Sequence, residues 1–469
     1  MESASEPVAL EEGEEMRNRL EDALKGHQAD YLELRVEEVE STTLRYRGRE
    51  LEEVGRTLSR GGCVRALVHG GWGFVSFNSL EDLRTYVALA IEEARLAAEG
   101  GSRLQEVEPV VDVVRADLVK DPRAVPLEQK KALLDEYNEA LWASSPKIQT
   151  TVIRYHDVFR RKWLATSEGT YIEQERADVT ASFVAVAREG NDVQQATLSL
   201  GSAEDYGIVE NLHEQVADVG RQAEALLTAR PVKGGTYTVV VDPILAGVFV
   251  HEAFGHLSEA DHVYENPRLQ ELMVLGKRFG PPELHIYDGA AVPHRRGSYK
   301  YDDEGVPAQV TPLVEGGVLV GRLHSRETAA KMGERVTGNA RALSYRYRPL
   351  VRMTNTYIAN GTVPKEDLFA DIREGIYVIR SLGGQTDVEM FTFAAAQAFM
   401  IRNGRLAEQV RGVNLSGNLF ETLMNIEAIG NDFQWGPEGG GCGKGGQSPL
   451  PVGTGSPHLR IRNVVVGGE

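Results

Sequence analysis

Six consecutive residues carry the densest chemistry in this chain: His251-Glu252-Ala253-Phe254-Gly255-His256. Two imidazoles stand five positions apart, with a carboxylate directly after the first. Neutral imidazole binds divalent transition metals, and a carboxylate beside such an ion can take a proton from bound water. The apolar run at 244–250 just upstream reads as a buried helix that delivers these groups to a dry pocket.

The spacing is one residue longer than the H-E-x-x-H pattern, whose histidines lie one turn apart on one helix face. At about 100° per residue, a regular helix puts the second ring roughly 140° round from the first. One face then cannot offer both rings to one ion. A π-bulge, with five residues in a turn, or a break in the helix restores the convergence. Gly255 tolerates either, so the sequence predicts a local distortion at residues 254–256. The bland alternative is a buried helix with two hydrogen-bonded histidines.

A catalytic zinc normally has three protein ligands and one open position. Glu259, Asp261, His262 and Glu265 follow the motif closely. The distant candidate is Cys442, inside Gly439-Gly440-Gly441-Cys442-Gly443-Lys444-Gly445-Gly446-Gln447. Chemistry favours the cysteine, because thiolate is a strong zinc ligand and the metal lowers its pKa. The flanking glycines let backbone approach the metal, and nearby Lys444 is expected to favour the thiolate further. The competing reading is a glycine-rich surface loop with an incidental cysteine. A phosphate loop is excluded: the Walker pattern needs four residues between its glycine and Gly-Lys, then Ser or Thr. Here Gly439 and Gly443 enclose three residues, and Gly445 follows Lys444. There is no G-x-S-x-G elbow, and neither Cys63 nor Cys442 sits in a thiol-protease signature.

The chain around these residues has 469 positions, enough for two or three domains. Its 42% hydrophobic and 26% charged content is that of a soluble globular protein. A net charge of −18 argues against nucleic-acid binding, which needs basic patches. The Tyr345-Arg346-Tyr347-Arg348 segment is short and alternating and suits a strand face. No apolar run reaches the length of a membrane span, and Met1-Glu2-Ser3-Ala4-Ser5-Glu6 lacks the basic start of a signal peptide. A cytoplasmic protein without a disulfide framework is expected. Cys63, inside a strand pattern, reads as core.

The elements that position the motif follow from periodicity. Helices are predicted at 8–27, 80–99, 127–143 and 208–229, with strands at 31–36, 42–47, 63–68 and 73–77 and a meander over 147–200. A connector spans 101–125. A boundary at Arg230-Pro231 divides an N-terminal α+β domain, 1–230, from a C-terminal domain, 231–469. The first has helices packed on antiparallel sheet; the second is mostly antiparallel β and carries the metal-binding helix. Asp242 is its N-cap, with Pro243 at the first helical position. Residues 260–310 read as a long irregular loop, a candidate lid. Hairpin strands are expected at 311–324, 350–358, 376–380, 389–402 and 406–414, a short helix at 417–425, and a last strand at 459–466.

These residues resemble the TldD/PmbA family of metallopeptidases, in its catalytic TldD-type form. The resemblance rests on His251-Glu252-Ala253-Phe254-Gly255-His256, Arg352-Met353-Thr354-Asn355-Thr356 and Gly441-Cys442-Gly443-Lys444-Gly445-Gly446-Gln447. It covers nearly the whole chain. It implies His251, His256 and Cys442 as metal ligands and Glu252 as the family's glutamate. It also implies a PmbA/TldE-like paralogous subunit as partner, with a homodimer as the other arrangement, and unfolded peptides as substrates.

The expected function is therefore a zinc-dependent metallopeptidase acting on small or unfolded peptides, with Glu252 as general base on a metal-bound water. Substrate is expected to lie extended along a sheet edge, with 350–358 as the candidate and an interior strand as the alternative. A non-catalytic zinc-stabilised modulator of a partner complex is the competing function, and a small-molecule amidase a third.

Overall fold

The computed structural model describes residues 6–97, 100–387 and 389–468. Long alternating strands dominate its first part. Gly71–Phe77, Glu50–Val68, Tyr31–Arg47, Ile148–Thr166, Tyr171–Glu189 and Val111–Val114 form one sheet in that order, and Asp192–Ser202 also pairs with Tyr171–Glu189. Helices Glu6–Leu24 and Leu83–Leu96 bury Leu20, Val87 and Ile91 against Leu34 and Val64. Helices Leu127–Ala143 and His213–Thr228 bury Tyr137 and Val216 against Ile153 and Phe183.

Sequence segmentation missed in places for local reasons. The strands expected at 31–36 and 42–47 are one, Tyr31–Arg47. Glu37 interrupts the apolar pattern, yet it is buried because Lys162 and Arg160 of the neighbouring strand reach it at 3.8 and 4.0 Å. The connector at 101–125 contains the strand Val111–Val114. The helix expected at 208–229 starts only at His213, after a 3₁₀ turn at Tyr206–Val209 and a left-handed Asn211 with φ of 58°. The helix expected at 80–99 is Leu83–Leu96, capped by Asp82; residue 99 lies outside the described residues.

From residue 230 onward β-structure dominates. Strands Glu374–Asp387, Gly235–Val241, Leu459–Gly467, Asn414–Asn418 and Met390–Arg402 pair in that order, and the last pairs back to the first. The second sheet runs Val318–Leu319, Val310–Glu315, Ile286–Gly289, Asn355–Ile358, Gly453–Ser456 and Gln434–Trp435. The fold is α+β, as expected. Among the described residues, no helix is long and apolar enough to cross a membrane.

The helix Pro243–Val250 lies between these two sheets, against Asn355–Ile358, Gly453–Ser456 and Glu374–Asp387. It is apolar nearly all round and is accordingly buried. Gly247 permits the close approach: a Cβ there would stand 3.0 Å from the Gly455 nitrogen. Asp242 caps the helix, accepting from the Leu245 N–H at 2.9 Å and the Arg380 N–H at 3.0 Å, with Pro243 in the first turn.

Three expectations are corrected. The segment 350–358 is not one edge strand: Leu350–Val351 pairs only with Ala340–Arg341 in a two-stranded sheet, and the longer part is interior. Asn355–Ile358 is flanked by Ile286–Gly289 and Gly453–Ser456, which leaves no free backbone for an extended peptide. The segment 345–348 is a turn, not a strand face: Tyr345 is buried and its hydroxyl donates to Asn78 at 2.6 Å. Residues 260–310 are not a lid. They include two short helices and the strand Ile286–Gly289, and buried Asp288, Arg296, Asp302 and Glu304 tie them down.

Replacing Asp242 by alanine leaves two backbone N–H groups without an acceptor. Loss of such a cap costs about 1–2 kcal/mol. Chemical denaturation of Asp242→Ala should show that loss, and Asp242→Asn, which keeps an acceptor, should show less.

Candidate metal centre

The centre sits where the buried helix ends. Pro243–Val250 runs into a π turn at His251–Gly255 and then a 3₁₀ turn at His256–Ser258. The His256 N–H donates to the His251 carbonyl, five residues back. The wide turn brings His251 and His256 round to one side, with ring centroids 5.4 Å apart. The distortion expected at 254–256 therefore starts earlier, at His251. Gly255 has ordinary helical angles, φ −59° and ψ −51°, so its conformational freedom is not used. Its small size is: a Cβ there would lie 2.0 Å from the Met353 Sδ.

Cys442 arrives from a hairpin. Gly441–Lys444 pairs with Gln447–Pro451 through the turn Gly445-Gly446, whose φ values of 57° and 77° suit a primed turn. Fully buried Arg352 holds this hairpin, donating to the Cys442 carbonyl at 2.8 Å and the Gln447 carbonyl at 3.3 Å. The Gln447 side chain is buried too, accepting from the Leu343 N–H at 2.8 Å and donating to the Arg348 carbonyl at 3.0 Å. The cysteine is thus held by structure, not by a loose glycine loop.

One ligand atom each from His251, His256 and Cys442 lie within 4.8 Å of one another. This is the one group of three such residues among those described. Glu259, Asp261, His262 and Glu265 do not join it. The Cys442 Sγ stands 3.4 Å from His256 Nε2. Tetrahedral metal–nitrogen and metal–sulfur bonds of about 2.0–2.3 Å imply ligand atoms roughly 3.5 Å apart, so this pair already fits an ion. Nδ1 of His251 is buried without a hydrogen-bond partner and is open to a ligand. The donor set suits a transition metal.

Charge is arranged to the same end. Burial pushes the Cys442 thiol up, but hydrogen bonds and charge from His251 and His256 outweigh it and bring it down to about 4. Burial lowers His256, yet Cys442 and Glu259 raise it to about 10. Before metal binds, the pair is a thiolate beside an imidazolium, and a metal ion would displace that ring proton. Cys63 contrasts: burial drives its thiol up to about 11, although Arg35 donates to the sulfur at 3.3 Å.

Sequence reasoning missed the role of Glu259. It is fully buried, and its carboxylate lies 3.1 Å from Nδ1 of His256. A carboxylate only accepts, so Nδ1 carries the proton and Nε2 faces the thiolate. Burial raises Glu259, but Lys444 and His256 bring it down to about 2. Lys444 does not serve the thiolate as expected. Its Nζ lies 3.1 Å from Glu259 and 2.7 Å from Asp261 and donates to the Val351 carbonyl at 2.8 Å. The i,i+3 spacing of His256 and Glu259 was the available signal. The stretch Arg352–Thr356 is framework: the Thr354 and Thr356 hydroxyls donate to Asp288 at 2.7 and 2.8 Å, and the Met353 N–H to Glu259 at 3.3 Å.

Glu252 stands at the open side. A carboxylate oxygen lies 3.9 Å from His256 Nε2, with the side chain 30% exposed, while His251 and Cys442 are buried.

An α+β frame brings two imidazoles and a cysteine sulfur to one point, with a carboxylate beside them, and so builds a candidate metal centre. Residues 32–98, 120–228 and 234–468 match, in order, domain 1, the central domain and the C-terminal domain of the PmbA/TldA metallopeptidases. A metalloprotease of Synechocystis sp. is 54% identical over 94% of this chain and 96% of its own. A zinc metalloprotease TldD homolog of Saccharolobus solfataricus is 31% identical over 88% of this chain and 91% of its own. Among solved structures, TldE from Thermococcus kodakarensis is similar with a TM-score of 0.76 at 16% identity, covering 97% of this chain and all of its own. A putative modulator of a DNA gyrase from Thermotoga maritima gives 0.77 at 21% identity over 97% of this chain and all of its own. The chain belongs to the PmbA/TldD metallopeptidase family.

Two measurements check this centre. In metal-free protein, ultraviolet absorbance should show one of the two cysteines as thiolate down to about pH 5, and Cys442→Ser should remove that signal. Glu259→Gln should weaken metal binding about 10–100-fold in a chelator competition, because the ring it orients is freed.

Proposed function

We propose that the chain is a zinc-dependent metallopeptidase that hydrolyses peptide bonds in small or unfolded peptides. His251, His256 and Cys442 would hold the ion, and mixed nitrogen and sulfur ligation favours zinc. The observation that carries the reading is Glu252, a partly exposed carboxylate beside three converging donors. A purely structural site has no use for such a base. The relatives' names, metalloprotease and zinc metalloprotease TldD homolog, support it.

Held by His251, His256 and Cys442, a bound ion would supply Lewis acidity to a carbonyl and to a water. Glu252 takes a proton from the attacking water and returns it to the leaving amine. Glu259 keeps the Nδ1 proton of His256 in place, so the ring does not swing as charge moves at the site. The Arg352-bound hairpin keeps the thiolate fixed. We place a PmbA/TldE-like subunit, or a second copy of this chain, as partner, and the division into two domains at residues 230 and 231, in the same reading.

Glu252→Gln should retain about one metal per chain and lose peptide hydrolysis by roughly 10²–10⁴-fold. Metal analysis beside a peptide-cleavage assay tests this. Undiminished cleavage by the variant would remove Glu252 as the base.

A further inference from the structure

A cavity of about 460 Å³ lies between the first sheet and the hairpin that carries Cys442. Gly441, Leu450 and Pro451 form part of its wall, and Leu450 is the hairpin partner of Cys442. None of the three metal-binding candidates lines it. One hairpin therefore borders both places.

Its charge is unbalanced. Five cationic side chains line the space. Lys162 is taken by Asp303 at 2.6 Å, and Arg296 by Asp178 at 2.5 Å. The third lining acid, Asp302, accepts from the N–H groups of Glu304, Val306 and Ala340. Arg160 has Glu37 only at 4.0 Å, and its Nε is buried without a partner. Arg176 and Arg341 have no carboxylate partner among the described residues. Arg176 donates to the Arg296 carbonyl at 2.8 Å, and Arg341 to the carbonyls of Met353 and Pro451.

Both guanidiniums flank one ring, 5.8 and 5.4 Å from the Tyr299 centroid. Burial, with Arg341 nearby, pulls Arg176 down to about 10, and burial also lowers Arg341. Asp178 acts on Arg176, and Asp303 and Asp288 on Arg341, only from a distance; buried cations without a paired carboxylate are unfavourable, and two close together repel. A guanidinium fork offers paired donors that match a carboxylate. Val158, Leu343, Leu450 and Pro449 add apolar wall beside the polar Gln174, Thr180 and Tyr301.

We propose that this cavity binds a carboxylate carried on an apolar body, with Arg176 and Arg341 as its clamp. Two sources share that chemistry: the C-terminal carboxylate of a peptide and a free organic acid. Only the peptide source rests on the peptidase reading.

Calorimetry on the full chain tests the site without requiring hydrolysis. Benzoate should bind and benzamide, its neutral counterpart, should not. Arg176→Gln should weaken benzoate at least tenfold with circular dichroism unchanged; Arg341→Gln, which loses two backbone contacts, is the second variant. Arg176→Lys should recover part of the loss. In the Glu252→Gln chain, a phenylalanine-ended tripeptide with a free carboxylate should displace benzoate while its C-terminal amide does not, if the peptide end is the ligand. Benzoate binding with no displacement by either peptide assigns the site to a free organic acid. Equal binding of benzoate and benzamide, or wild-type benzoate affinity in Arg176→Gln, would overturn the proposal. No cleavage by the metal-loaded wild-type chain, with benzoate binding intact, would instead count against the peptidase reading.

Discussion

Donors 186 positions apart can serve one cation only if the fold brings both segments to one point. The fold meets that constraint with two unrelated devices. On one side, a buried helix is widened by a π turn so that two imidazoles five residues apart face the same way. On the other, a tight glycine-turned hairpin is fastened to the core through Arg352. Neither device works alone, because the Cys442 sulfur and the His256 ring, 3.4 Å apart, come one from each. The thiolate form of Cys442 depends on both rings, and the raised His256 depends on the thiolate.

Behind this pair stands a second layer of buried charge. Glu259 and Asp261 share Lys444, and Glu259 in turn fixes the imidazole ring. Burying such a carboxylate is unfavourable unless it is fully paired. Here the Met353 N–H, Lys444 and His256 all meet it. Lys444 comes from the same hairpin as Cys442, so the charge network and the thiolate are delivered together. Met353 also fills the space that Gly255 leaves, linking the framework strand to the helix distortion.

The candidate cluster is legible in the sequence because its chemistry is rare and its spacing unusual. The two histidines demanded a departure from regular helix, and one is present, although it begins at His251. Ligand chemistry and the flanking glycines favour Cys442 over the nearer acids, and the fold brings it beside the two histidines. The helix cap at Asp242 was legible because capping is local. Roles set by tertiary contact were not. Lys444 reads as a neighbour of the thiolate along the chain but points to Glu259 and Asp261. Gly255 reads as a residue whose conformational freedom permits a distortion, but it keeps helical angles and serves by its small size. Segment 350–358 has a strand pattern, but periodicity does not say which strands lie on either side, and Asn355–Ile358 is interior. Glu37 broke a strand pattern because its cations sit on another strand.

X-ray absorption at the metal edge of the reconstituted protein reads the central claim directly. One sulfur neighbour at about 2.3 Å with two or more nitrogen or oxygen neighbours near 2.0–2.1 Å is the expected shell, and Cys442→Ser should abolish the sulfur. A shell without sulfur in the wild type, or one that keeps its sulfur in Cys442→Ser, would contradict convergence of the helix and hairpin on one ion.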